Sequence, residues 1–122
     1  MQVYKEFSFE AAHFLPSAPP GHPNSRIHGH SFQVRVAVEG EPDPKTGLLI
    51  HFWDLAEAMK DVREELDHRF LNDGIEGLGA PTLENLAVWI WKRLEVKITG
   101  LSEVHIWRPT CHEGCIYRGR KA

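Results

Sequence analysis

Cysteine is scarce. There are two, Cys111 and Cys115, both near the C-terminal end. Two thiols make no disulfide framework. In a reducing compartment they are expected to stay free. No stretch approaches the ~18 uninterrupted apolar residues that a membrane-spanning helix needs. The N-terminus shows no basic segment followed by an apolar one, because Lys5, Glu6 and Glu10 arrive early. No secretory leader is therefore expected, and the expected address is the cytoplasm, with no membrane partner. Positive charge is not in excess either: 14 Lys and Arg face 17 Asp and Glu, a formal net charge of -3. The basic face that nucleic acid demands is missing, so no nucleic-acid partner is expected. Internal repeats, low-complexity tracts and linkers are absent. The 42% hydrophobic and 25% charged content excludes disorder and coiled coil. A chain of 122 residues reads as one domain, 1–122, able to bury a single core.

What the chain has in abundance is histidine, eight residues of it. Imidazole is the commonest metal ligand and the side chain whose charge changes near neutral pH. Metal binding or acid/base chemistry is the first expectation.

Hydrophobic periodicity sets the elements. Over Gln2 to Leu15, Val3, Phe7, Phe9, Ala11 and His13 share one strand face, opposite Tyr4, Glu6, Ser8 and Glu10. Pro16 to Ser25 is a loop by its Pro and Gly. A second strand spans His28 to Glu39, with His30, Phe32, Val34, Val36 and Val38 on one face. The Pro- and Gly-containing stretch from Gly40 to Gly47 predicts a turn. Asp54 is the expected N-cap of a helix carrying Leu55, Met59, Val62 and Leu66. Thr82 is the expected N-cap of a second helix carrying Leu83, Leu86, Ala87, Ile90 and Leu94, which ends before Gly100. Short strands over Val104–Thr110 and Cys115–Arg118, joined through His112-Glu113-Gly114, close the chain. The order is β-β-α-α-β-β. An antiparallel sheet with both helices on one face makes an α+β layer.

Three histidines gather in this scheme. His28 and His30 are two apart and point to one side of a strand. His13 lies on the matching face of the preceding strand, so pairing the two strands brings the three rings together. Three neutral imidazoles and an open position form a common catalytic zinc arrangement, with Zn–N near ~2.0–2.1 Å. A bare His-x-His also occurs as a solvent-facing or core pair. Asp67-His68 at the end of the first helix reads either as a proton relay or as a helix-end charge pair. Cys111 and Cys115 flank the last hairpin; their spacing is not that of a standard zinc pair.

Taken together, Phe7-Ser-Phe-Glu-Ala-Ala-His13, Arg26-Ile-His28-Gly-His30-Ser-Phe32, Leu66-Asp67-His68, Leu71-Asn72-Asp73, Pro81-Thr82-x-Glu84-Asn85 and Cys111-His-Glu-Gly-Cys115-Ile-Tyr117-Arg-Gly119 resemble the 6-pyruvoyl-tetrahydropterin synthase family. The tail and the short length are most similar to its bacterial 6-carboxytetrahydropterin synthase branch. The resemblance runs through nearly the whole chain. It implies a tunnelling (T-) fold, with trimers forming a barrel and two trimers stacking into a hexamer whose active sites lie between subunits. It implies zinc on His13, His28 and His30. It implies a pterin partner: conversion of 7,8-dihydroneopterin triphosphate to 6-carboxytetrahydropterin, with loss of acetaldehyde and triphosphate, on the route to queuosine and related deazapurines. It further implies a relay by Asp67 and His68, and a pterin hydrogen bond from Thr82.

The chain departs from the family pattern at three positions. The family places a cysteine base four residues before the first His of His-Gly-His; Asn24 stands there. It anchors the pterin through a carboxylate two residues before Cys111; Pro109 stands there. His51 occupies a place where Asp is usual. Glu113 is the expected substitute anchor. The departures leave open a different pterin or purine-like substrate, or a non-catalytic pterin-binding protein.

Overall fold

Alternation of apolar and polar side chains, broken at Lys5, Ala12 and Ala37, decides the first two strands, and the computed structural model, which describes residues 1–120, pairs them along their full length. β1 (Gln2–His13) runs antiparallel to β2 (His28–Glu39), in register from Gln2 opposite Glu39 to His13 opposite His28. The inward face carries Phe9, Ala11, Phe32, Val34, Val36 and Val38, all buried. Phe9 and Phe32 sit opposite each other and stack with ring centroids 4.8 Å apart. Burying each such ring contributes roughly 1.5–3 kcal/mol.

α1 (Phe52–Leu66) and α2 (Leu83–Glu95) lie against that face and complete one core. α1 buries Leu55, Ala58, Met59, Val62 and Leu66, and α2 buries Leu83, Leu86, Ala87, Trp89, Ile90 and Leu94. α1 begins earlier than the expected Asp54 cap. His51 is the N-cap and makes no side-chain cap bond. Asp54 falls in the first turn, where a carboxylate still faces the positive end of the helix dipole. Thr82 caps α2 as expected, its Oγ1 accepting from the Asn85 N–H at 3.0 Å.

β4 (Leu101–Arg108) pairs with β2, and β5 (Glu113–Tyr117) pairs with β4, both antiparallel. β4 begins earlier than expected, at Leu101 opposite Val38, and ends earlier because Pro109 has no N–H for the ladder and opens a 3-10 turn, Pro109–Cys111. Gly100 precedes β4 with φ +83°, and a Cβ there would lie 2.9 Å from the Glu39 carbonyl oxygen. Only glycine fits that approach. One strand was not expected. β3 (Arg69–Phe70) pairs with Ala11 and Ala12 of β1 and is parallel, so the sheet is not wholly antiparallel. Two residues are too short to show a period. The strand order is β3-β1-β2-β4-β5. Among the described residues no helix is long and apolar enough to cross a membrane.

Candidate metal centre and active site

The end of β1 and the start of β2 bring the three histidines together. His13 pairs with His28, and Ala11 with His30, so the register that stacks Phe9 on Phe32 also clusters the imidazoles. Ring centroids are 4.7 Å apart for His13 and His28, 4.8 Å for His28 and His30, and 5.1 Å for His13 and His30. One ligand atom from each lies within 4.8 Å of the others.

Backbone carbonyls aim two of the rings. His13 Nδ1 lies 2.9 Å from the Pro81 carbonyl oxygen, and His28 Nδ1 lies 2.7 Å from that of Arg26. A carbonyl only accepts, so each Nδ1 carries the hydrogen and each Nε2 keeps a lone pair. Buried Nε2 atoms of His13 and His30 have no hydrogen-bond partner. An unsatisfied buried polar atom costs about 1–3 kcal/mol. Two such atoms in one cluster suit a shared metal ligand set.

Electrostatics agree with that donor set. Burial, opposed by the Pro81 carbonyl and aided by His28 and Arg108, holds His13 below its ordinary pKa. Burial first, then the Arg108 guanidinium, lowers His30 from 6.5 to about 4. Neutral rings have the lone pair that zinc requires. The three histidines therefore fit a zinc ion.

Asp67 and His68 follow α1. The Asp67 N–H bonds to the Arg63 carbonyl and ends the helix. His68 then takes φ 58°, a left-handed conformation that commonly falls to Gly after a helix. A non-glycine residue there costs roughly 1–2 kcal/mol. Its Nδ1 donates to Asp67 Oδ2 at 2.9 Å, while Asp67 Oδ1 accepts from the Glu10 N–H at 2.9 Å. The Glu10 N–H, then His68, hold the Asp67 carboxyl below its usual range. The His68 side chain is 79% exposed, and its ring is therefore free to meet a ligand. His30 and His68 line one cleft of about 670 Å³ together with Ser31, Phe70 and Thr110. A second cleft of about 720 Å³, lined by Glu39, Asp54 and Lys97 among others, contains no histidine.

Thr82 directly follows Pro81, whose carbonyl holds His13. Glu113 opens β5, and its Oε1 accepts from Arg108 Nη2 at 2.6 Å. Asn24 sits in a 3-10 turn, Pro23–Ser25, where its carbonyl accepts from the Leu15 N–H at 2.8 Å. His51 caps α1 and stacks on Trp53, 4.0 Å away, rather than joining the histidine cluster.

Two neighbours of the cluster were not among the expected site residues. Cys111 Sγ lies 3.8 Å from His30 Nδ1. Cys111 and Cys115 are both free. Arg108 is the other, and the signal was present: it follows Val104 and Ile106 on the apolar phase of β4.

The fold and the cluster agree with what the chain is similar to. The family described as 6-pyruvoyl tetrahydropterin synthase matches residues 2–120. A Synechocystis protein named 6-carboxy-5,6,7,8-tetrahydropterin synthase is 40% identical over 94% of this chain and 91% of its own length. A Pyrococcus furiosus protein named dihydroneopterin monophosphate aldolase is 37% identical over 82% of each chain. The structure of Caenorhabditis elegans 6-pyruvoyl tetrahydropterin synthase superposes with a TM-score of 0.87 at 27% identity, covering 98% of this chain and 96% of that one. The expected T-fold layer is the observed one, and the chain belongs to the 6-pyruvoyl tetrahydropterin synthase family.

Proposed function

We propose that the protein is a zinc-dependent lyase of the 6-carboxytetrahydropterin synthase type. Its substrate on this reading is 7,8-dihydroneopterin triphosphate, and its place is the cytoplasmic route to queuosine and related deazapurines. The observation that carries the reading is the pair of orphaned Nε2 atoms in the cluster of His13, His28 and His30, in a chain of this family. Zinc held there supplies Lewis acidity to the side-chain oxygens of the substrate, making the adjacent C–H more acidic.

The chain's own groups move the proton and hold the ring. With Nδ1 donating to Asp67, His68 presents Nε2 as the acceptor. Asp67 stays ionised, because its Glu10 and His68 hydrogen bonds favour the carboxylate. Asn24 has no basic lone pair, so the proton falls to His68. Thr82 Oγ1 accepts from Asn85, which leaves its hydroxyl hydrogen to donate to the pterin. Glu113 accepts the ring N–H groups in place of a carboxylate at Pro109.

The working unit is the oligomer, a hexamer built as a dimer of trimers. β3 covers only Ala11 and Ala12 of β1, so most of that strand's outer edge lacks a ladder partner among the described residues. Such edges are stable when paired with another subunit.

The test is incubation of zinc-loaded protein with dihydroneopterin triphosphate, with the pterin products separated by chromatography. No product from fully loaded protein would end this reading. A related cleavage of another dihydropterin is the second reading. It is favoured by the similar identity to the Pyrococcus aldolase and by Asn24 and Pro109. Calorimetry with a panel of pterins separates the two, since the first requires the triphosphate to bind best.

A further inference from the structure

Arg108 stands where the alternation of β4 calls for an apolar side chain. Val104 and Ile106, on the same phase, are fully buried. Arg108 lies one residue past the Gln33–Trp107 pair, toward the β2 end that carries His30, and directly opposite Glu113. Its side chain is only 14% exposed. One ion pair holds it, Nη2 to Glu113 Oε1 at 2.6 Å, with Glu113 itself 54% exposed. Its Nε is enclosed and has no partner.

A buried guanidinium with an unpaired N–H is costly, and an apolar residue would be cheaper at this place. The cost is compounded by the neighbours. On the strand face it shares with Val104 and Ile106, its charge lies near His13 and His30. A fixed cation near two of the rings that offer lone pairs to a metal cation is a repulsive arrangement. An anion between the two removes the repulsion and pairs the idle Nε–H.

The geometry points to Arg108 as a ligand-binding residue of this site, with its Nε–H reserved for an anionic oxygen, phosphate or carboxylate, of the molecule held at the three-histidine cluster. Glu113 fixes the guanidinium by taking Nη2. The assignment deepens the pterin-lyase reading by requiring an anionic group close to the metal. It rests on that reading only for the identity of the natural ligand.

The test uses calorimetry on the zinc-loaded full chain, with inorganic tripolyphosphate, oxalate and uncharged neopterin as probes. R108Q is expected to weaken one or both anions by about ten- to a hundredfold, the span of a charged hydrogen bond. Neopterin affinity should change less than about threefold on the same scale. The anion that suffers more identifies the phosphate or carboxylate source. Zinc stoichiometry, titrated against a chelator, should be retained. R108K keeps the charge without Nε, and should lose anion affinity by about tenfold. It carries the test alone if R108Q does not fold. The inference is overturned if the wild type binds neither anion, if the variants bind both as well as the wild type does, if neopterin falls equally, or if zinc is lost. None of these readouts needs turnover, so failure of the lyase assay and failure of this assignment are separate results.

Discussion

Removing the metal should expose a pH dependence that His30 dominates. Burial and the nearby Arg108 lower its pKa from 6.5 to about 4. In the unfolded chain the ring binds a proton near pH 6.5; in the folded chain it does so only near 4. Between those values the unfolded state holds more protons, so stability falls as the solution is acidified. It is fully present above pH 6.5, and the loss is complete below about 4. At about 1.36 kcal/mol per pH unit the full difference is about 3.4 kcal/mol. His30 is only partly buried, and solvent screening reduces this to about 1.5 kcal/mol. The assay is urea unfolding of the chelator-treated protein at several pH values from 7.5 to 4, beside His30→Gln. The wild type should lose about 1.5 kcal/mol more than the variant over that range. Zinc-loaded wild type should lose this stability only at lower pH, because metal and proton compete for one lone pair. Parallel curves for metal-free wild type and variant would refute the argument.

Three further outcomes test the site and its frame. Asn24→Cys restores a thiol at the family's base position and should raise product formation at least about tenfold in the chromatographic assay. Asp67→Asn reverses the hydrogen-bonding preference of the partner of His68 Nδ1, and should lower turnover by about 10²-fold while zinc content stays unchanged. Gly114→Ala would place a Cβ 2.6 Å from Trp107 Cβ and 2.9 Å from the Ile106 carbonyl oxygen. That crowding at the β4–β5 hairpin should cost about 1–3 kcal/mol of stability in urea unfolding.

Elements with a long regular period were legible in the sequence, and those set by partners far along the chain were not. β2 runs from His28 to Glu39 as its alternation predicts, and that placed His30 correctly. β1 stops at His13 rather than Leu15. The Phe14 N–H turns instead to Asn72 Oδ1 at 2.9 Å, and the Leu15 N–H to the Asn24 carbonyl. Neither loop partner has a periodic signature. β3 depends on the preceding left-handed turn at His68, where no glycine announces it. Thr82 was readable because capping is local. The ion pair that holds Glu113 was not, because it depends on the β4–β5 register that sets Arg108 opposite Glu113.

The same contrast explains how the site tolerates its departures. His13 is aimed by the Pro81 carbonyl and His28 by that of Arg26, so the ring orientations rest on backbone rather than on side chains. Substitution at Asn24 or Pro109 changes neither carbonyl. Pro81 also immediately precedes the Thr82 cap, which ties the position of the His13 ring to the first turn of α2. Ring positions fixed in this way do not depend on the side chains at Asn24 and Pro109. Asn24 and Pro109 stand where the resemblance implies the base and the pterin anchor, whereas His51 stacks on Trp53 away from the cluster. His68 on Asp67 and Arg108 on Glu113 are each oriented by a carboxylate. On the proposed reading His68 takes the proton and Arg108 meets an anionic group of the ligand, while the three histidines hold the metal.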